Sequence, residues 1–224
     1  VLQYRHKWID LDALVFTNLS PEHIESHGSY EKYVDAKVEI ARHMMTSGKR
    51  PRIIVANGDD KESEKFLAVP VEIKKTFSIK DTAPQSPLLG EFNTYNVLAA
   101  VTLARALNIS EEIITKAITN FKEVPGRVES IECGQDFKVI VDYAHTPDSL
   151  EKFYTVFKGS RNICVLGGTG GGRDTWKRKE MGRIADTYCD EIILTNEDPY
   201  DEDPQKIVDE MRAAISAKPC EIIL

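Results

Sequence analysis

The stretch Asn162-Ile163-Cys164-Val165-Leu166-Gly167-Gly168-Thr169-Gly170-Gly171-Gly172-Arg173-Asp174 decides the architecture. Its first half is a short apolar run that reads as a buried strand, and the glycine-rich turn closing it leads into a helical pattern over 177–188. A second apolar run, Glu191–Leu194, follows directly. A strand, a helix and another strand in this order form a parallel unit. Outward from it, the rhythm continues with a strand over 138–141 and a helix over 147–158 on one side, and a helix over 204–216 and a strand over 221–224 on the other. The expected fold is α/β, with this half a doubly wound, Rossmann-like unit.

Ligands of such sheets bind beyond the carboxyl ends of the strands, which here means the loops after Val141, Leu166 and Leu194. Those loops (142–147, 167–174 and 195–203) are the polar, glycine-rich or acidic ones, so they are expected to share one site. The middle loop offers the N–H groups of five glycines to an anion, with Arg173, Lys177 and Arg178 beside them. It is not a Walker A motif, and glycine-rich turns also serve structure alone, so both readings stand.

The first half of the chain repeats the pattern. A strand over 12–19 precedes a helix over 29–46 headed by Ser29, and a strand over 52–56 is closed by Asn57-Gly58. After a polar, proline-containing stretch over 80–87, helices are expected over 93–107 and over 110–121, the latter capped by Ser110 with Glu111 and Glu112 in its first turn. Glu123-Val124-Pro125-Gly126-Arg127 breaks that helix and sets the expected domain boundary, giving domains 1–123 and 124–224. His23 follows the first strand, and Lys37 shares a helix side with Tyr30 and Tyr33. Taken singly, Lys37 reads as a solvated helix residue, His23 as a turn histidine, and Asp142 with His145 as a helix-capping turn. Trp8, Tyr30, Tyr33, Phe92 and Tyr95 read as packing groups rather than a cofactor box.

At 224 residues and 42% hydrophobic content, the chain has enough apolar mass for one large core or two modest ones. No run approaches the roughly 20 apolar residues of a membrane span, and the start lacks the apolar core of a signal peptide, so no membrane partner and a cytoplasmic location are expected. A net charge of -7 argues against nucleic acid as a non-specific partner. Cys133, Cys164, Cys189 and Cys220 form no CxxC pair and read as reduced thiols in or beside the core.

Taken together, several blocks resemble the Mur ligases. Phe16-Thr17-Asn18-Leu19-Ser20-Pro21-Glu22-His23, with His27-Gly28 and Tyr33-Val34-Asp35-Ala36-Lys37, is similar to the family's motif around its second magnesium. Gly90-Glu91-Phe92-Asn93-Thr94-Tyr95-Asn96 is similar to its adenine-side helix. Pro125-Gly126-Arg127-Val128-Glu129 and Val141-Asp142-Tyr143-Ala144-His145-Thr146-Pro147-Asp148 are similar to the entry to its C-terminal domain, and Arg173-Asp174, Lys177-Arg178, Met181-Gly182 and Asp198-Pro199 continue the match. The blocks stand in the family's order over most of the chain.

The resemblance implies that 1–123 is the later part of a central P-loop-type ATPase domain and 124–224 an amino-acid-binding C-terminal domain. It implies ATP and Mg2+ as cofactors, with His23 and Lys37 as metal ligands, the lysine through a carbamate that turns a cation into an anion. Lys37, His23 and His145 are thereby the candidate catalytic residues, while Asn93 and Asn96 approach the adenine. Asp142 and His145 reach the ribose and phosphates, and Arg127 lies at the hinge. Arg173 lies near the α-carboxylate of the incoming amino acid, and Glu197, Asp198 and Tyr200 belong to the loop that chooses it. The implied reaction adds a third residue, lysine or meso-diaminopimelate, to UDP-MurNAc-L-Ala-D-Glu through an acyl phosphate, in a protein expected to be a monomer.

The sequence also departs from the family. No Gly-Lys-Thr or Gly-Lys-Ser P-loop is present among these residues, so the chain as given is expected not to complete an ATP site or to ligate on its own. The resemblance implies a longer stretch between Val71 and Gly90 than is present, and it implies that the family's last lysine- and glutamate-bearing loop is expected beyond the strand at 221–224. Tyr200 stands where diaminopimelate-adding members carry an arginine, and a phenol cannot supply that bidentate charge. Two alternatives are a glutamate-adding ligase of the folylpolyglutamate kind and a non-catalytic binding remnant.

Overall fold

The computed structural model describes residues 6–21, 27–172 and 174–224, and the chain divides into two units, Val1–Glu123 and Val124–Leu224. In the first, β1 (Ala13–Phe16), β2 (Ile53–Asn57) and β3 (Ile73–Phe77) pair in parallel in that order. The register sets Ala13 beside Ile53 and Ile53 beside Ile73. The middle strand β2 is buried throughout, and its alternation serves two cores. Ile54 and Ala56 meet Val34, Val38 and Ala41 of α1 (Tyr30–His43) and Phe66 of α2 (Ser63–Leu67), while Ile53 and Val55 face Leu98 and Ala99 of α3 (Glu91–Ala106).

Ser29 caps α1 by accepting the Lys32 N–H at 3.2 Å, and the run then tightens into a 3-10 turn at Met44–Thr46. Ser110 stands at the head of α4 (Glu111–Asn120), but its side chain makes no cap bond, which corrects that part of the sequence reading. Sequence reasoning also passed over α2 and β3. Lys74, Lys75 and Thr76 break the apolar pattern of β3 because an edge strand leaves them in solvent. Trp8 was expected to pack, yet it is 94% exposed in the turn before β1. At the amino ends of β2 and β3, the Glu72 carboxylate takes the Arg52 guanidinium at 2.7 and 3.0 Å and its backbone N–H at 2.8 Å. Those bonds pull the Glu72 carboxyl down from its ordinary 4.5 to about 2.

In the second unit, β6 (Ile163–Leu166), β7 (Glu191–Leu194) and β8 (Cys220–Ile222) also pair in parallel in chain order. Among the described strands the order does not reverse, so the turn-around of a doubly wound sheet is not seen. The run at 138–141 was expected in this sheet. Instead β5 (Val139–Val141) forms a two-stranded antiparallel hairpin with β4 (Glu129–Ile131). The connection is braced by Gln135, which accepts from Cys133 N–H and donates to Ile131 O at 2.7 and 2.6 Å.

Helices α5 (Pro147–Val156), α6 (Trp176–Tyr188) and α7 (Pro204–Arg212) share a core with β6 and β7, built from Leu150, Tyr154, Leu166, Ile184, Leu194 and Met211 among others. On the other side of β6, Ile163 and Val165 are 55% and 64% exposed. The capping box at Thr146 and Ser149 fixes the start of α5. α7 ends before 216 because the N–H groups of Ser216, Ala217 and Lys218 turn to the Asp186 carboxylate.

The cysteines correct the sequence reading. Cys164 on β6 and Cys189, the residue closing α6, form a disulfide with Cα atoms 6.0 Å apart. Cys133 and Cys220 remain free. A helix that returns along its strand brings its end beside the strand's core face, and a separation of 25 residues in sequence gives no sign of this. No helix among the described residues is long and apolar enough to cross a membrane.

Two outcomes are expected. Because the folded Glu72 pKa lies below its ordinary 4.5, the contribution of the Arg52 pair is fully present above that pH and is lost as pH falls toward 2. The melting temperature of Glu72→Gln should therefore lie below the parent's near neutrality and converge with it as acid is added. Reducing the Cys164–Cys189 bridge, which closes a 25-residue separation, should lower the unfolding free energy by about 3 kcal/mol, read from urea curves with and without reductant.

Candidate functional site

At the carboxyl end of β6 and β7 two loops close on each other with almost nothing between them. A Cβ at Gly170 would lie 2.0 Å from Pro199 O, and one at Gly167 would lie 2.6 Å from Thr195 O. Neither position can carry a side chain while the loops keep this spacing. Gly170 N–H donates to Asp198 O at 2.9 Å, Gly172 N–H donates to the Glu202 carboxylate, and the Thr169 hydroxyl donates to Glu197 at 3.3 Å. Two of the amides expected for an anion are thus already committed to protein acceptors. What the loop does instead is hold the acidic stretch 195–202 in place.

Glu197, Asp198 and Tyr200 are exposed on that stretch, and Tyr200 takes a left-handed backbone (φ 51°) with its ring against Gly171. Arg173 lies outside the described residues. Lys177 was read as a donor to an anion, but it pairs with Asp174 at 3.2 Å. Arg178, read the same way, is 2% exposed and binds Glu210 at 2.9 Å, Glu202 at 3.0 and 3.1 Å and Thr169 O at 3.2 Å. Its Nε finds no acceptor among the described residues. A buried guanidinium held by two carboxylates is an anchor rather than a surface cation.

The turn at 142–147 was expected to join these loops. Its bonds run elsewhere: Asp142 accepts Ala144 N–H and Val128 N–H, both at 2.8 Å. Val128 sits at φ 52°, unfavourable for a β-branched residue, so the Asp142 bond fixes a strained joint next to Arg127. The Arg127 guanidinium lies 4.8 Å from the Tyr143 ring centre. His145 meets that ring edge-on at 4.9 Å, and its Nδ1 lies 2.9 Å from Tyr143 O. Arg127, Asp142 and His145 therefore form one cluster around the exposed Tyr143, a residue that sequence reasoning quoted without giving it a role.

In the first unit His23 lies outside the described residues. Lys37 is exposed, its Nζ 5.3 Å from the ring centre of the buried Tyr33, and His27 meets the same ring at 5.3 Å. No group of three or more His, Cys, Asp and Glu among the described residues is placed to hold a metal ion. Lys37 as an ammonium repels one, so the described donors do not by themselves fit Mg2+. Asn93 is buried and donates to Leu89 O at 2.7 Å, while the exposed Asn96 donates to Asn93 Oδ1 at 3.2 Å.

The residues that organise this edge are Asn57, Asp59 and Asp60. Asn57 donates to Thr17 O at 2.8 Å, and Asp60 accepts Leu19 N–H at 2.9 Å, which pins the loop after β1 to the loop after β2. Asp59 accepts from Ile79 N–H, Ser78 and Tyr95 at 2.8 to 3.0 Å, bonds that hold its carboxyl below the usual range. Their signal was a polar Asn-Gly-Asp-Asp run at the carboxyl end of a buried strand, read only as a stop. A cleft of about 510 Å³ lined by Lys75, Asp81, Thr102 and Arg105 includes none of the residues named from the sequence.

Two family models match the chain, the Mur ligase middle domain over 3–86 and the Mur ligase glutamate ligase domain over 126–223. The chain belongs to the Mur ligase family. It is 34% identical over 239 aligned positions to UDP-N-acetylmuramoyl-L-alanyl-D-glutamate–2,6-diaminopimelate ligase of Geobacillus kaustophilus (strain HTA426), covering 93% of this chain and 49% of that protein. It is 35% identical to the ligase of the same name from Fusobacterium nucleatum, covering 91% and 47%. The chain thus spans about half the length of the curated relatives it matches. A solved ligase of that name superposes with a TM-score of 0.57 at 26% identity, over 99% of this chain and 52% of the other. Folylpolyglutamate synthase of Mycobacterium tuberculosis superposes at 0.73, over 97% and 54%, but at 15% identity it shares the fold alone.

The close approach of the two loops gives a direct test. Gly170→Ala has no space against the Pro199 backbone and should destabilise the second unit by about 3 kcal/mol. Gly172→Ala, with open space but φ +67°, should cost only about 1 kcal/mol for its backbone. Urea denaturation of both variants measures the difference.

Proposed function

We propose that the protein of which these residues form part is an ATP-dependent acid–amino acid ligase that adds the third residue to UDP-MurNAc-L-Ala-D-Glu through an acyl phosphate. The work would fall in the cytoplasm, in peptidoglycan synthesis. The observation that carries the reading is the acidic stretch 195–202, held by glycine close approaches and presenting Glu197, Asp198 and Tyr200 outward. A precursor carboxylate attacks the γ-phosphate of ATP, and the amine of the incoming amino acid then captures the acyl phosphate. Residues that fix the amine relative to the acyl phosphate supply much of such a rate by positioning.

In this reading the Arg127–Tyr143–His145 cluster and Asp142 serve the nucleotide side. Asn93 and Asn96 serve the adenine, and His23 with a carbamylated Lys37 serves the metal. Glu197 or Asp198 faces the distal ammonium of a diamino acid, with Arg173 toward its α-carboxylate. The relatives are named for 2,6-diaminopimelate, yet Tyr200 lacks the charge to bind a distal carboxylate. Lysine and diaminopimelate are therefore the two amines to separate.

The test uses protein expressed from the whole reading frame, with UDP-MurNAc-dipeptide, ATP and magnesium. Phosphate release is followed with lysine, meso-diaminopimelate, ornithine or glutamate. Turnover with one diamino acid, lost by 10²-fold or more in Lys37→Ala, is expected, on the scale of about 10²–10³ for removing an electrostatic catalytic group. Turnover only with glutamate on a folate acceptor would replace this reading with the folylpolyglutamate one.

A further inference from the structure

We propose that Arg178 is the positioning residue of the amino-acid side of the site, a buried fork that sets the glycine loop and the acidic loop in register without touching substrate. This rests on the ligase reading above for its functional consequence, though not for its geometry. The guanidinium reaches the glycine loop at two points, one direct and one through Glu202. Nη2 donates directly to Thr169 O at 3.2 Å, and it also grips Glu202, whose Oε1 accepts the Gly172 N–H. Glu202 in turn donates its own N–H to Pro199 O at 3.0 Å, so the same carboxylate-bearing residue closes the acidic stretch. Nη1 ties the assembly to α7 through Glu210 at 2.9 Å. One rigid, planar head thus joins two loops and a helix, which a lysine ammonium on a flexible stem cannot reproduce.

Stability alone does not account for this group. A buried ion pair is often no more stabilising than an apolar side chain of similar volume. Glu202 and Glu210 keep side-chain exposures of 21% and 31%, so water can take up their charge if the arginine is replaced. What an apolar replacement removes is direction: the Thr169 carbonyl and, through Glu202, the Gly172 amide lose their common anchor. Glu197 is held by Thr169 and Asp198 by Gly170, so both would shift with the loop.

The experiment has two arms. On the 224-residue chain, Arg178→Met, Arg178→Lys and Glu202→Gln are compared with the parent for amide exchange at Gly170 and Gly172 and for melting temperature. Exchange at these amides should rise at least tenfold in Arg178→Met and Arg178→Lys while the melting temperature of Arg178→Met stays within a few degrees. Glu202→Gln should loosen Gly172 more than Gly170. On protein from the whole reading frame, the KM for the diamino acid should rise about 10- to 100-fold in Arg178→Lys, the scale of a small misplacement, with the KM for ATP unchanged. Unchanged exchange at both glycines in the Arg178 variants, or an equal rise in both KM values, overturns the proposal. If the unmodified protein ligates no amino acid, the ligase reading fails, and the exchange arm still decides whether Arg178 ties the loops.

Discussion

A Cβ at position 170 would stand 2.0 Å from a backbone oxygen of the facing loop, and the working edge of the second unit is arranged around that prohibition. Because only hydrogen fits, two chain segments approach closely enough for the Gly170 amide to reach Asp198 O. The same device recurs where α6 meets α7: a Cβ on Gly182 would lie 2.2 Å from Met211 O. Helix and loop contacts on this side of the sheet are thus set by backbone against backbone, and the side chains that remain exposed, Glu197, Asp198 and Tyr200, inherit their places from it. Packing at this distance leaves little room for gradual adjustment.

The first unit solves the corresponding problem with side chains. There the loops beyond β1 and β2 are joined by an amide and a carboxylate, Asn57 to Thr17 and Asp60 to Leu19, and the turn after β3 is tied to the loop after β2 by Asp59. Such ties span a wider gap and depend on hydrogen-bond geometry rather than on contact. Both units place their polar loops beyond parallel strands whose inward residues are buried, as the central position of β2 requires.

Much of this was legible in the sequence. The apolar runs at β1, β2, β6 and β7 lie where periodicity put them, within a few residues, because burial on one or both faces demands it. β3 was not legible, since Lys74, Lys75 and Thr76 erase the pattern at an exposed edge. Nor was the pairing of Val139–Val141 with Glu129–Ile131, because three residues carry no record of their partner strand. Among site residues, the grouping of Arg127, Asp142 and His145 follows from closeness in sequence on either side of one hairpin. Arg178 was misread as a surface donor because its partners Glu202 and Glu210 lie 24 and 32 residues away. The Cys164–Cys189 bond escaped for the same reason.

The outward side of β6 has a practical consequence. Ile163 and Val165 present branched aliphatic surface to water beside a parallel sheet, the kind of surface on which molecules of a protein stick to one another. The chain's excess of 36 acidic over 29 basic groups keeps copies apart at neutral pH by mutual repulsion. Sulfate-type salts that strengthen apolar association, or mild acid that neutralises the carboxylates, remove that protection. Handling of this chain is therefore safest in dilute, low-sulfate buffers on the alkaline side of neutrality.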